Sequence, residues 1–446
     1  GRTNRLLTYP EIRFDVQFGF ENYVEFLKSG IEVMRSLTEN DEAKALKYRG
    51  SISGYENYYK KISGQIEGAK NFNLLKQERQ NWNSFLEFIE ASGTSAEKDA
   101  IDNLLEITNE VNSESLNNMY YGGSTLIGTA STLYRHAYEK TKPNSAREPG
   151  YQERDYERLV NRMRSMEYRF DAEVDKGIFL YRLNRYRDVD SKDRRKSYSR
   201  LLELDAPYEN TVSVVDEMYA YPSDLLDTNK RIKLLDASLD DLNKSSDPFI
   251  VFVREIFEEG MEREKKNKAR SSLQQKNKSI FIKSLRKFYK SLNKDIYPDA
   301  NGTLRVTFGN VMGVELNDGV YYKPFTTLEG ISQKNTGISP FEVDVKQLKL
   351  ISDKEYGGYK FNEVGSVPVN YISNLDITNG NSGSSTLNTR GEFVGLAFDG
   401  MLETIISDYK FIPQTRTIHV DSRYLLWTLE VYEKDTRLID EMVLVR

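Results

Sequence analysis

Near residue 295 the apolar residues of this chain change their spacing, and the change decides what can fold on either side. Upstream, Ile101, Leu104, Leu105 and Thr108 stand at i, i+3, i+4 and i+7, the spacing of one face of a helix. Downstream, Leu304, Val306 and Phe308 alternate with Arg305 and Thr307, the spacing of a half-buried strand. Pro298, Asn301 and Gly302 mark a turn between the two regimes. Helical and strand periods cannot share one layer, so the order predicts an α+β chain. A helical domain is expected over residues 1–294 and a β domain with a closing helix over 295–446.

Local signals support the helices. Thr94 and Glu97 stand at capping-box spacing. Asp247 reads as an N-cap with Pro248 in the first helical position, followed by an apolar face of Phe249, Phe252, Val253 and Ile256. The charged run "EREKKNKARSSLQQKNKS" reads as a solvated helix face or connector. Short β-like runs between Gly, Asn and Asp turns continue to about Val420, and "VDSRYLLWTLEVYEK" returns to helix with Asp421 or Ser422 as its cap. A β domain of this size is enough for one barrel.

Composition narrows the function classes. The chain is 38% hydrophobic and 29% charged, as globular chains are. A net charge of −5 gives no argument for nucleic acid. "FIVFV" is typical of the longest apolar runs, far short of a membrane span. No cysteine is present, which removes disulfides, thiolate zinc sites and Cys nucleophiles. Two histidines leave little for a His-based metal site, so no metal or cofactor is expected. The sequence begins at Gly1 without a signal peptide, and residues upstream are expected to have been removed.

The stretch "TNGNSGSSTLNTRGEFVGLAFDG" carries the chemistry. A nucleophilic serine needs an exposed Oγ and backbone N–H groups aimed at one point, and small neighbours permit that turn. Ser382 in Gly380-Asn381-Ser382-Gly383 fits, with the N–H groups of Gly380 and Ser382 as an oxyanion hole and Asn381 between them. A short strand Ser385–Leu387, a turn Asn388–Gly391 and a returning strand Phe393–Phe398 should follow. G-x-S-G alone also describes an ordinary hairpin loop; the extended pattern is what favours catalysis. The spacing does not match the G-x-S-x-G elbow of α/β hydrolases. A base is missing, however. His136 sits in the helical stretch "TLYRHAYEKT", and His419 lies on the last strand, after the serine.

"NGNSGSSTLNTRGEFVGLAFDG", "TIHVDSRYLLWTLEVYEK" and "LIDEMVLV" resemble the C-terminal part of family 46 serine peptidases, the bacterial dipeptidyl peptidases 7 and 11. "GRTNRLLTY" and "YENYYKK" resemble the start of that family's helical domain, and "YPDANGTLRVTFGNV" its return to the barrel. The resemblance implies a chymotrypsin-like double barrel with a helical insertion capping the cleft. This chain would then hold the helical domain and the second antiparallel barrel, and the catalytic His and Asp would lie upstream of Gly1. Ser382 would be the nucleophile, with the N–H groups of Gly380, Asn381 and Ser382 facing the oxyanion. Asn57 and Asp399 match positions that clamp the substrate ammonium. In the acid-preferring branch an Arg follows that Asp; here Gly400 does, which implies a hydrophobic or broad preference, as in dipeptidyl peptidase 7. Asn379 and Ser385 depart from the family's usual Gly and Pro.

The leading expectation is a serine dipeptidyl peptidase acting on peptides with free N-termini, inactive as this piece alone. Export to the periplasm or medium and a homodimer are further implications of the family. Two alternatives remain: a non-catalytic peptide-binding descendant of such an enzyme, and a hydrolase using His419.

Overall fold

The computed structural model describes residues 1–445, apart from the side chains at positions 403 and 404. The chain divides into two compact units. One comprises Arg13–Ser63 and Trp82–Lys294; the other comprises Gly1–Ile12, Gly64–Asn81 and Asp295–Arg446. A single cut at 294/295 therefore misses two pieces that go with the sheet. Backbone bonds Thr3 N–H to Ala300 O (3.1 Å) and Asn4 N–H to Asp408 O (2.7 Å) tie the first piece to it. A buried bond from Gln65 Nε2 to Asp408 Oδ2 (3.3 Å) ties the second. Such pairings join residues hundreds of positions apart, and no local periodicity records them.

In the helical unit, helices follow the expected signals. Helix α1 (Glu42–Asn71) and helix α2 (Leu74–Ser92) each run from one unit into the other. Helix α3 (Ser95–Ser113) opens with the Thr94–Glu97 capping box. Ile101 and Leu104 of α3 are buried against Phe85 and Ile89 of α2 and Phe281 and Phe288 of the long helix named below. Burying each such side chain contributes about 1.5–3 kcal/mol, which outweighs any intrinsic helix preference. Helix α4 (Thr125–Lys140) is buried along Leu126, Ala130, Leu133 and Ala137. Helix α5 (Pro248–Ser291) runs for 44 residues, with Asp247 Oδ1 accepting from Phe249 N–H (2.9 Å) and Ile250 N–H (3.3 Å). Phe249, Phe252 and Val253 are buried. The charged run is the solvent-facing middle of α5, neutralised by neighbours such as Glu114 on Arg270 (3.0 Å).

The other unit holds the strands. β1 (Val314–Asn317) and β2 (Val320–Tyr322) form a hairpin. β3 (Phe325–Thr327), β4 (Pro368–Ser373), β5 (Ser384–Leu387), β6 (Phe393–Gly400) and β7 (Thr417–Asp421) form an antiparallel sheet in the order β3-β4-β7-β6-β5. The sheet is open among the described residues: β3 and β5 are its two edges, and a closed barrel is not formed. Helix α6 (Ser422–Trp427), capped by Asp421, carries Trp427 into a core with Leu328, Ile351, Val367 and Val369. Trp427 Nε1–H donates to Glu355 O (2.8 Å), so the indole is buried without losing its bond.

The expected strand at Leu304–Phe308 does not form. The segment has no strand assignment, and Leu304, Val306 and Phe308 are 99%, 89% and 91% exposed. Alternation marks a segment suited to pairing, but a strand also needs a neighbour, and none of the described strands supplies one.

Candidate active site

Two consecutive turns build the loop around Ser382. Asn381 N–H donates to Thr378 O (3.1 Å), and Ser384 N–H donates to Asn381 O (2.9 Å). Gly380 and Gly383 fill the third position of each turn with φ of +90° and +83°. Any other residue is strained in that region, which explains why the sequence reads Gly-Asn-Ser-Gly. Ser382 is the second residue of the second turn and is exposed. Its Oγ–H donates to Phe398 O (3.2 Å). Asn379 does not need positive φ, so its departure from Gly is accommodated.

The strands lock this loop. Gly383 N–H donates to Ala397 O (2.8 Å). β5 then pairs with β6 through Ser384↔Ala397, Ser385↔Leu396 and Thr386↔Gly395. The connecting turn closes with Gly391 N–H on Asn388 O (3.0 Å), as the sequence indicated. Asn381 N–H is occupied by Thr378 O, so it does not join an oxyanion site in this arrangement. Among the described residues no backbone acceptor takes the N–H of Gly380 or Ser382, the alternating pair that an oxyanion needs.

Asp399 and Gly400 end β6, where a register shift between Ala397 and Asp399 turns the strand. Asp399 Oδ1 accepts from Gly400 N–H (2.8 Å). A Cβ built at Gly400 would meet only the Arg416 carbonyl, 3.8 Å away, an ordinary contact. Asn57 is exposed on α1, within the helical unit.

Neither histidine has the surroundings of a general base. His419 is wholly buried on β7. Its Nε2 is hydrogen-bonded to Ser373 Oγ (2.7 Å) on β4, and its Nδ1 to Thr386 Oγ1 (2.9 Å) on β5. Tyr371 stacks on the ring at 4.5 Å and 8°. Gly395 and Ala397 leave room for Thr386 to reach across β6. Burial lowers the imidazole pKa to about 4 and raises that of the Tyr371 phenol to about 12. With both nitrogens engaged, His419 is a neutral cross-link of three strands, which removes the reading of it as a catalytic base. His136 is buried on α4, near Tyr151 and Tyr156, and burial lowers its pKa to about 4 as well.

Residues that hold the loop from outside were missed by sequence reasoning. Arg5 grips Asp376 with two bonds, and Thr378 Oγ1 lies 2.8 Å from both Arg2 O and Asp408 Oδ1. Their partners are some 370 positions away for Arg2 and Arg5, beyond any spacing rule.

Comparison with known proteins gives the family. The family model for Peptidase S46 matches residues 1–444. The chain belongs to the peptidase S46 family. The Asp/Glu-specific dipeptidyl-peptidase of Shewanella putrefaciens is 31% identical across all of this chain and 64% of its own length. Dipeptidyl-peptidase 7 of Capnocytophaga gingivalis is 26% identical across all of this chain and 62% of its own length. The chain thus spans just under two thirds of these relatives. The crystal structure of Porphyromonas endodontalis DPP11 with the dipeptide Arg-Glu covers 99% of this S46 chain and 63% of that one, at a TM-score of 0.74 and 23% identity, a likeness of fold. Among the described residues of this S46 chain, no helix is long and apolar enough to cross a membrane and no cluster of acidic or imidazole side chains suits a metal ion.

Proposed function

We propose that this chain is the serine-bearing part of an S46 dipeptidyl peptidase, with Ser382 as nucleophile. One observation carries the reading: an exposed serine stands inside the second of two consecutive turns, each with a positive-φ glycine, and the N–H groups of Gly380 and Ser382 are left for an oxyanion. In the reaction Ser382 Oγ attacks the scissile carbonyl, and the two N–H groups stabilise the charge that develops on its oxygen. A dipeptidyl ester forms, the remaining peptide leaves with a proton, and water then hydrolyses the ester. The base that takes the serine proton, and the carboxylate that orients it, come from outside these 446 residues. The engaged nitrogens of His419 support that assignment. The open sheet is, on this reading, one half of a chymotrypsin-like double barrel, and the exposed stripe at Leu304, Val306 and Phe308 suits a surface awaiting the other half.

Dipeptide release needs a group that holds the substrate ammonium, and a carboxylate does so through charge-assisted bonds. Asp399 and Asn57 take that role in the proposal by their place in the motifs "FDG" and "YENYYK". One relative is named Asp/Glu-specific and the other's name gives no preference, so the preference rests on Gly400. Its small size and lack of charge favour a hydrophobic or broad residue before the cut. The decisive experiment assays the full-length peptidase on dipeptidyl substrates. Ser382→Ala should abolish turnover, and parental turnover in that variant would end the proposal.

A further inference from the structure

The motif "GRTNR" has no part in the chemistry above, yet the structure gives its second arginine a definite task. The Arg5 guanidinium donates through Nη1 to Asp376 Oδ2 (2.6 Å) and through Nη2 to Asp376 Oδ1 (2.8 Å). Nε and Nη2 also reach Ser407 O at 2.8 and 2.6 Å. The arginine side chain is only 15% exposed. These four contacts use the fixed fork of a guanidinium; an ammonium could not make the paired ones to Asp376.

The arginine is itself held. Asp299 accepts from Arg5 N–H (2.8 Å), Leu6 N–H (3.1 Å) and Thr3 Oγ1–H (2.7 Å). Asp376 stands at the start of the segment that enters the nucleophile turn. Two residues on, Thr378 Oγ1 lies 2.8 Å from both Arg2 O and Asp408 Oδ1, and can donate to one of them. Thr378 N–H donates to Asn381 Oδ1 (3.1 Å), while Asn381 N–H returns to Thr378 O. Hydrogen bonds thus link Asp299 to Arg5 and Arg5 to Asp376, and a second set links Thr378 to Asn381; the backbone through Ile377 joins the two sets, and the second ends one residue before Ser382.

We propose that Arg5, acting through Asp376, is a positioning residue that fixes the turn carrying Ser382 and the Gly380 N–H. The inference rests on the reading of Ser382 as the nucleophile. Loss of the grip lets the turn drift against the strands while β5 and β6 stay paired, so the rate should suffer and dipeptide recognition should not. The test compares Arg5→Gln, Arg5→Lys, Asp376→Asn and the double variant R5Q/D376N in the full-length peptidase, with melting temperatures measured alongside. Each single variant should lower kcat by about tenfold to a hundredfold, since misplacing a reacting group by about an ångström can cost up to about a hundredfold. KM should stay within about threefold. Arg5→Lys should not rescue, because the fork is lost. The double variant should be no slower than the slower single variant, since both residues act through one contact.

Ser382→Ala separates the two layers of the argument. If that variant keeps its rate, the nucleophile assignment falls and this proposal with it. If it is inert and Arg5→Gln or Asp376→Asn keeps kcat within twofold, only the positioning role is refuted. Additive losses in the double variant, or a rise in KM with kcat unchanged, would also refute it. Should Arg5→Gln fail to fold, Asp376→Asn, at a half-buried site and nearly isosteric, decides by its kcat-to-KM split.

Discussion

Lowering the pH tests the account of His419 directly. The ring is wholly buried between β4 and β5, and its folded-state pKa is about 4 against an ordinary 6.5. A depressed imidazole pKa means that the unfolded chain takes up a proton more readily than the folded one. The stabilisation is therefore complete above pH 6.5 and is lost as the pH falls through 6.5 toward 4. With those two values, the loss at pH 5 is about 2 kcal/mol, approaching about 3 kcal/mol below pH 4. Two features make the measurement clean. The chain has only two histidines, so His136→Gln leaves one imidazole signal in a carbon-13 histidine-labelled NMR titration. It also has only two tryptophans, and Trp82→Phe leaves Trp427, in the core beside the sheet, as the fluorescence reporter for urea unfolding. The remaining imidazole should titrate near pH 4, and His419→Gln should flatten the stability slope between pH 6.5 and 5. A midpoint at or above 6, or an unchanged slope in His419→Gln, would show that the ring is not the neutral cross-link described.

Other expectations concern substrate and stability. Gly400→Arg should shift preference toward acidic residues before the cut, read as kcat/KM on paired dipeptidyl substrates; an unchanged ratio would remove Gly400 from the pocket. Asp399→Asn should lower kcat/KM by about tenfold or more, since a charge-assisted bond is worth roughly 1.5–3 kcal/mol. Thr94→Ala should cost about 1 kcal/mol in urea unfolding of the helical unit through loss of the α3 cap. Glu97 is held down to about 2, chiefly by Lys287 and then by Thr94 and Ser284. Its carboxylate therefore adds stability above pH 4.5 that fades as the pH falls toward 2, and Glu97→Gln should lose that part of the acid sensitivity.

What the sequence revealed and what it hid divide along a physical line. Short-range devices were legible because both partners sit within a few residues: the Thr94–Glu97 cap, the Asp247–Pro248 start, the Asn388–Gly391 turn and the glycines flanking Ser382. Long-range pairings were not. Arg5 with Asp376, and His419 with Ser373 and Thr386, carry no spacing signal, because sheet topology alone brings them together. The segment Leu304–Phe308 shows the third case. Its pattern reads as a strand, but pairing is a property of two segments, and one cannot announce the other.

That stripe has an unusual consequence for how substitutions should be read. Burial normally identifies the apolar positions a fold cannot spare. Leu304, Val306 and Phe308 reverse the rule: they are among the most exposed large apolar side chains described and contribute almost nothing to the core. Polar replacements there should leave the melting of this unit unchanged while reducing its tendency to self-associate, since an unpaired apolar extended segment invites strand addition between copies. Any intolerance to change at these three positions would be a record of encounter rather than of folding.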